Sequence, residues 1–266
     1  MNLVDGRKLA TEIAEEIKSL VKNKASKPKL VVFTCNPNFE TKKFLALKQS
    51  KAESLGIEMK TTILSSDVST EEFVSVIKNE SREFAGVIVQ LPLPAHIDTD
   101  LVLKAIPQGK DVDRFDYKGE ETDILPPVVG AIDEISKYHH LDWQNKKVVI
   151  FGQGRLVGGP AELYAKRKES QVLVVNEYSQ NVPEITKDAD IIILGVGQPN
   201  LLTKDMVKDG VVIFDAGASE DGGLLVGDAS KDTASKASLL TPVPGGIGPL
   251  TVILLFRNLL KLCSSQ

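Results

Sequence analysis

Cysteine is nearly absent from this chain. Cys35 and Cys263 are the only two among 266 residues and lie far apart. Neither a disulfide framework nor a cysteine-built metal site is expected, and no metal ligands are assigned. Excess charge is lacking too, since 32 basic against 36 acidic side chains leave a net charge of -4. That removes the basic field with which proteins hold nucleic acid. No apolar run approaches the ~18 residues needed to span a bilayer. The opening MNLVDGRKLATEIAEEIKSL has no charged-then-apolar signal layout, and Glu12, Glu15 and Glu16 argue against a transit peptide. These absences lead to the expectation of a soluble, reduced, cytoplasmic protein with no nucleic-acid or membrane partner.

What is present is a chain that is 42% hydrophobic and long enough for one large domain or two ordinary ones. Leu9, Ile13, Ile17 and Val21 recur every four residues among charges, the pattern of an amphipathic helix, with Pro28 as its expected end. KLVVF (Lys29 to Phe33) reads as a strand. Thr41 to Leu55 reads as a helix closed by Gly56. A second strand is expected over Ile57 to Leu64, and a helix over Thr70 to Glu83 with Ser69 as its N-cap. GVIVQL (Gly86 to Leu91) is an apolar strand with one polar residue near its end. The alternation of strand and helix predicts a parallel α/β sheet.

Charge and turn residues cluster from Asp111 to Pro127, where a linker is placed, followed by a helix over Val128 to Lys137. QVLVV (Gln171 to Val175), ADIIIL (Ala189 to Leu194) and GVVIFD (Gly210 to Asp215) predict further buried parallel strands.

KKVVIFGQGRLVGGP, Lys146 to Pro160, reads as strand, glycine turn and helix. Glycines let a backbone approach a pyrophosphate, and the helix N-terminus favours its charge. The spacing here is G-x-G-x-x-x-G, not the usual G-x-G-x-x-G, so a tight turn with nothing bound satisfies the motif equally well. Glu177 ends the next predicted strand, 25 residues after Gly152. An acid about 20 residues on typically bonds the ribose hydroxyls of NAD; a solvated loop glutamate is the plainer reading. Together the two features favour dinucleotide binding.

Near the end of the chain, three prolines and three glycines crowd into the eight positions Pro242 to Pro249, ahead of an apolar, helix-like tail from Leu250 to Leu262. With this stretch included, the sequence resembles the bifunctional methylenetetrahydrofolate dehydrogenase/cyclohydrolase family over nearly its whole length. The blocks that carry the resemblance are GVIVQLPLP (Gly86 to Pro94), KDVDRF (Lys110 to Phe115), FGQGRLVGGP (Phe151 to Pro160) and TPVPGGIGPLT (Thr241 to Thr251), in that order.

The resemblance implies two α/β domains. The first, 1–118 with 246–266, is a folate-binding catalytic domain; the second, 119–245, is a Rossmann-like dinucleotide domain. A C-terminal helix returns to the first, with Pro242 to Pro249 carrying the chain across the cleft. It implies oxidation of methylene-tetrahydrofolate to the methenyl form with NAD or NADP, then hydrolysis to formyl-tetrahydrofolate, in one-carbon metabolism that feeds purine biosynthesis. A homodimer is also implied.

By the same resemblance Lys48 is the active-site lysine, Gln90 orients it, and Asp113 pairs with the amino-pyrimidine edge of the pterin. From the residues alone, Lys48 could equally be one more solvated helix lysine, Gln90 a strand-end cap, and Asp113 a surface partner of Lys110 or Arg114. The implied folate contacts are Phe44, Leu91, Pro92, Pro244, Gly245 and Gly246. The implied dinucleotide contacts are Gly152, Gln153, Gly154, Arg155, Glu177, Gly195 and Ala218.

Several departures matter. Phe44 replaces the family's active-site tyrosine, which puts the cyclohydrolase step in question. Arg114 replaces a glycine, so that turn must be rebuilt or must avoid positive φ. Leu125-Pro126-Pro127-Val128 replaces a Pro-Cys-Thr-Pro block. Gly154 replaces a serine, Gln153 a phosphate-holding arginine, Asn176 a histidine and Glu177 a small residue. These last changes favour NAD over NADP, with Arg155 as the counter-argument. Two other readings remain: a two-domain amino-acid- or shikimate-type dehydrogenase, and a homologue that has lost the cyclohydrolase step or all catalysis.

Overall fold

A computed structural model describes residues 2–264. Its elements in chain order are β1 (Asn2–Leu3), α1 (Gly6–Lys22), β2 (Lys29–Cys35), α2 (Phe39–Leu55), β3 (Glu58–Leu64), α3 (Thr70–Glu80), β4 (Gly86–Val89), α4 (Thr99–Lys104), α5 (Pro127–Tyr138), β5 (Lys147–Phe151), α6 (Gly158–Arg167), β6 (Gln171–Val175), α7 (Val182–Lys187), β7 (Ile191–Leu194), β8 (Val212–Asp215), β9 (Ser219–Asp221), β10 (Leu224–Val226), β11 (Leu239–Leu240) and α8 (Ile247–Ser264).

The chain divides into two compact units. One holds the residues up to Thr11 with Asp116–Thr251; the other holds Glu12–Phe115 with the residues from Val252 on. The expected partition differs at residues up to 11, 116–118 and 246–251. The N-terminal difference has a clear cause, because β1 pairs in parallel with β11 and so joins the larger sheet. The outermost positions of that expectation, Met1, Ser265 and Gln266, lie outside the described residues.

The smaller unit is built on a three-stranded parallel sheet, order β3-β2-β4. Six of the seven β2 residues and all four β4 residues are buried, as expected for parallel strands covered on both faces. Val31, Phe33, Val87 and Val89 pack with Phe73 and Ile77 of α3 in one apolar cluster. Helix α2 begins two residues before the expected Thr41, because Asn38 caps it by accepting the Thr41 N–H. Gly56 closes it at φ 75°. Ser69 and Glu72 form a reciprocal capping box on α3, whose last turn, Ser81–Glu83, tightens to a 3-10 helix. Helix α1 stops at Lys22, well short of Pro28, since its apolar repeat ends with Val21.

The larger unit has a six-stranded sheet, order β1-β11-β8-β7-β5-β6, with every pairing parallel. The strand order reverses beside β5, so ligands are expected outside its carboxyl end. Of the three strands expected to be buried, β7 and β8 are, but β6 is not: it is the sheet edge, and Leu173 is 48% exposed. Helix α5 starts one residue early at Pro127, where a proline lacking its N–H costs nothing.

Eighteen-residue α8 is long and apolar enough, by length and composition, to cross a bilayer, which the absence of a long apolar run had not suggested. Burial within the fold accounts for that character: Leu250, Ile253, Leu254, Phe256 and Leu259 are each at most 1% exposed.

Candidate active site

Strand β4 delivers Gln90 to the carboxyl end of the three-stranded sheet. Val89 is paired with Phe33, and the Gln90 N–H still donates to the Phe33 carbonyl at 2.8 Å, so the strand's path extends one residue past its last pairing. Pro92, with no N–H, ends the run, and the Leu91–Pro92 peptide is cis. The Gln90 amide then spans two partners. Its Nε2 donates to the Leu91 carbonyl at 2.7 Å, which leaves Oε1 to accept from the Lys48 ammonium at 2.8 Å.

Lys48 comes from the middle of α2, and the same helix face carries Ala52, fully buried one turn later. Lys48 is half-buried, as is Lys51, whereas Lys42 and Lys43 are exposed; of these, Lys48 is the one whose ammonium donates to Gln90. Burial pushes the Lys48 ammonium below the usual lysine range, and the Asp113 carboxylate opposes that shift. Burial likewise raises Asp113, with Lys48 opposing. Each group is held towards its neutral form by desolvation and towards its charged form by the other. The arrangement is an amine whose hold on its proton is weakened by burial, beside a carboxylate, at the carboxyl end of a parallel sheet.

The loop that presents Asp113 is organised by Asp111, whose two carboxylate oxygens accept the Asp113 N–H at 3.0 Å and the Phe115 N–H at 2.7 Å. Arg114 lies between them at φ 55°. The turn therefore does not avoid positive φ; the Asp111 carboxylate imposes it on a non-glycine residue. Asn258 of α8, also buried, donates to the Val112 carbonyl at 2.9 Å and braces the loop from its other side. Sequence reasoning gave neither Asp111 nor Asn258 a positioning role. Phe44 lies one turn before Lys48 with its ring 52% exposed.

In the six-stranded unit, the glycine turn follows β5 as expected. Gly152 has φ 78°, and its N–H donates to the Val175 carbonyl at 2.8 Å. A Cβ on Gly158 would overlap the Gly152 carbonyl, so α6 can start this close to the turn only with glycine there. Gln153, Gly154 and Arg155 are exposed on the turn. The Gln153 amide donates to Glu162 at 3.0 Å. Glu177 lies two residues past the end of β6, on an exposed turn in which Asn176 Oδ1 accepts the Tyr178 N–H at 3.0 Å. Gly195 directly follows β7, and Ala218 lies in the segment after β8.

In the Pro242 to Pro249 stretch, the Gly246 N–H donates to the Pro242 carbonyl at 2.7 Å and Gly245 has φ 112°. Helix α8 follows at once, with Pro249 in its first turn. The Val243–Pro244 peptide is cis. Gly246 is buried, and a Cβ on Gly6 would overlap its carbonyl oxygen. The close approach these glycines permit is therefore, at Gly246, to the chain's own Gly6. Pro244 is exposed and Gly245 half-buried.

Lys48, Gln90, Asp113, Phe44, Leu91 and Pro92 thus all belong to the smaller unit, and the dinucleotide candidates with Pro244, Gly245 and Gly246 to the larger. An amine, an amide and a carboxylate on one α/β unit, and a glycine turn at the strand reversal of another, define a class: a two-domain α/β protein with a proton-handling site and a dinucleotide-type loop.

Comparison with known proteins narrows the class. Residues 4–113 match the tetrahydrofolate dehydrogenase/cyclohydrolase catalytic domain, and residues 126–266 match the NAD(P)-binding domain of the same family. The chain belongs to the tetrahydrofolate dehydrogenase/cyclohydrolase family. A relative named Bifunctional protein FolD from Aquifex aeolicus is 37% identical over 273 residues, covering 97% of this chain and 94% of that one. Another of that name from Hydrogenobaculum sp. is 36% identical, with 98% of both chains covered.

Among solved structures, the bifunctional FolD methylenetetrahydrofolate dehydrogenase/cyclohydrolase of Campylobacter jejuni shares 33% identity, with a TM-score of 0.95 over 100% of this chain and 99% of that one. The Trypanosoma brucei dehydrogenase-cyclohydrolase, complexed with NADP cofactor and inhibitor, shares 28% identity with a TM-score of 0.91, covering 99% and 97%.

Proposed function

We propose that the chain oxidises methylene-tetrahydrofolate to the methenyl form with a nicotinamide dinucleotide and then hydrolyses it to formyl-tetrahydrofolate. The single observation that carries this is the Lys48–Gln90 hydrogen bond beside Asp113, in a chain that belongs to this family. When bound, the dinucleotide supplies the hydride acceptor; the chain's own residues orient the folate and move protons. Asp113 accepts from the amino-pyrimidine edge of the pterin, where paired donors suit a carboxylate. Gln90 holds Lys48 Nζ at a fixed place. The desolvated Lys48 amine then takes and returns the proton of the attacking water, a role that the lowering of its proton affinity by burial favours. Phe44 retains a ring able to stack on the folate.

The cofactor preference we propose is NAD. Glu177 stands past the end of β6, where an acid bonds ribose hydroxyls and repels a 2′-phosphate. Gln153 is occupied by Glu162 and supplies no cation for that phosphate. We also read the chain as a homodimer, which sedimentation tests. The deciding experiment assays both steps with both nucleotides, following methenyl absorbance. Turnover through to formyl-tetrahydrofolate with a higher kcat/KM for NAD is expected. A tenfold or greater advantage for NADP removes the cofactor reading. A reaction that stalls at methenyl reduces the chain to a dehydrogenase.

A further inference from the structure

Beyond the residues already placed, two aspartates are buried in the six-stranded unit, and no lysine or arginine pairs with either among the described residues. Asp228 is 0% and Asp215 3% exposed. An unpaired buried carboxylate is costly unless hydrogen bonds converge on it, and here six backbone amides do. Asp228 Oδ2 accepts from Val196 at 2.8 Å and Gly197 at 3.2 Å, and its Oδ1 accepts from Gln198 at 2.8 Å. Asp215 Oδ1 accepts from Gly217 at 2.9 Å and from Asp228's own N–H at 3.2 Å, while Oδ2 accepts from Ala229 at 2.9 Å. The two act in series: Asp215 fixes the backbone of Asp228, and the Asp228 side chain fixes the turn 195–198.

That turn stands beside the glycine loop. A Cβ built on Gly152 would lie 3.5 Å from Val196 Cγ2, and one on Gly195 would overlap the Val157 side chain. The turn is thus packed against both ends of the GQGRLV segment. Ser219 Oγ ties its far side by donating to the Gly197 carbonyl at 2.8 Å.

We propose that Asp228, backed by Asp215, is a positioning residue that holds the turn Gly195–Gln198 as a second wall of the dinucleotide groove. This rests on the reading of the glycine loop as the dinucleotide site. The hydrogen bonding also fixes which part of the dinucleotide the wall meets. Its three amides are spent on Asp228, so they are not available to a phosphate, and the Asp228 charge behind them repels one. The wall therefore suits a part of the ligand other than its phosphates, and a carboxylate behind it favours the nicotinamide half, whose oxidised ring is a cation.

Calorimetric titration of the wild type, Asp228→Asn and Ser219→Ala with NAD, NADP, ADP-ribose and tetrahydrofolate tests this. Asparagine keeps the shape of aspartate but points a donor at one set of amides. Affinity for the preferred dinucleotide is expected to fall at least tenfold in Asp228→Asn and two- to threefold in Ser219→Ala. ADP-ribose, which lacks nicotinamide, and folate stay within twofold. If ADP-ribose or folate weakens as much as the dinucleotide, Asp228 is only a structural residue and the proposal fails. Unchanged dinucleotide affinity in both variants overturns it as well. Should Asp228→Asn not fold, Ser219→Ala alone decides. A wild type that binds no dinucleotide overturns the reading of the glycine loop itself, a result distinguishable from wild-type binding that the variants leave intact.

Discussion

Lys48 owes its chemistry to its surroundings. A lysine on a solvated helix face stays charged at neutral pH; one withdrawn from water loses part of its hold on the proton. Lys48→Met keeps the length and apolar stem but removes the amine. Cyclohydrolase activity is expected to drop at least about a hundredfold, the usual worth of a positioned acid–base group. Far-ultraviolet circular dichroism and thermal melting should stay at wild-type values, and unchanged hydrolysis would take Lys48 out of the mechanism.

Asp215 makes a second prediction at this scale. Burial raises its carboxyl to about 6, against the pull of its backbone N–H donors. The folded state therefore binds this proton more tightly than the unfolded chain does. Its contribution to stability is present in full below pH ~4 and is lost as pH rises through ~6, by about 3 kcal/mol in all. Asp215→Asn cannot titrate. Urea denaturation of both proteins from pH 4 to 7 should show the variant gaining on the wild type by an amount of that order. Parallel curves would show that Asp215 ionises without penalty.

At the scale of elements, what could be read from the sequence was what neighbouring residues settle among themselves. Ser69 and Glu72 cap α3 from three residues apart, Gly56 closes α2, and the apolar run Gly86 to Val89 is a strand buried at every residue. The glycine turn was legible for the same reason, since Gly152 and Gly158 flank one short loop. What escaped depends on partners distant in the chain. Asn2 pairs with Leu239, so neither two-residue strand shows in its own neighbourhood. Asp228 reaches back to Val196, and Asn258 to Val112.

Edge position is equally invisible locally: β6 has the composition of a buried strand, yet among the described residues no strand pairs with its outer side. A usable signal did exist for Asp215. It is the polar residue closing GVVIFD, as Gln90 is the polar residue closing GVIVQ, and both lie at the carboxyl ends of parallel strands, where sites collect. Gly158→Ala tests the glycine turn as a unit. The added Cβ meets the Gly152 backbone, which a side-chain rotation cannot relieve. Dinucleotide affinity measured by titration should fall at least tenfold while folate affinity holds; retained affinity would show that the turn does not shape the groove.

For the molecule as a whole, the consequential feature is that the smaller unit is completed by the last stretch of the chain. From Val252 on, α8 gives it seven buried apolar side chains: Ile253, Leu254, Leu255, Phe256, Leu259, Leu260 and Leu262. At about 1.5–3 kcal/mol each, their burial amounts to roughly 10–20 kcal/mol as an upper bound. Whole proteins have a net stability of only about 5–15 kcal/mol. A chain ending at Thr251 should therefore lose the smaller unit altogether, and with it the Lys48–Gln90–Asp113 arrangement. The larger unit keeps its six strands, and it carries the chain's one tryptophan, Trp143, buried and stacked on Phe214 at 5.9 Å. Trp143 emission thus reports on the larger unit alone. The truncated chain is expected to keep a native-like Trp143 spectrum and dinucleotide binding while losing folate binding and part of its helical circular dichroism. Folate binding that survives the truncation would mean that the three-stranded sheet stands without α8, and that the apolar tail is not what completes the folate site.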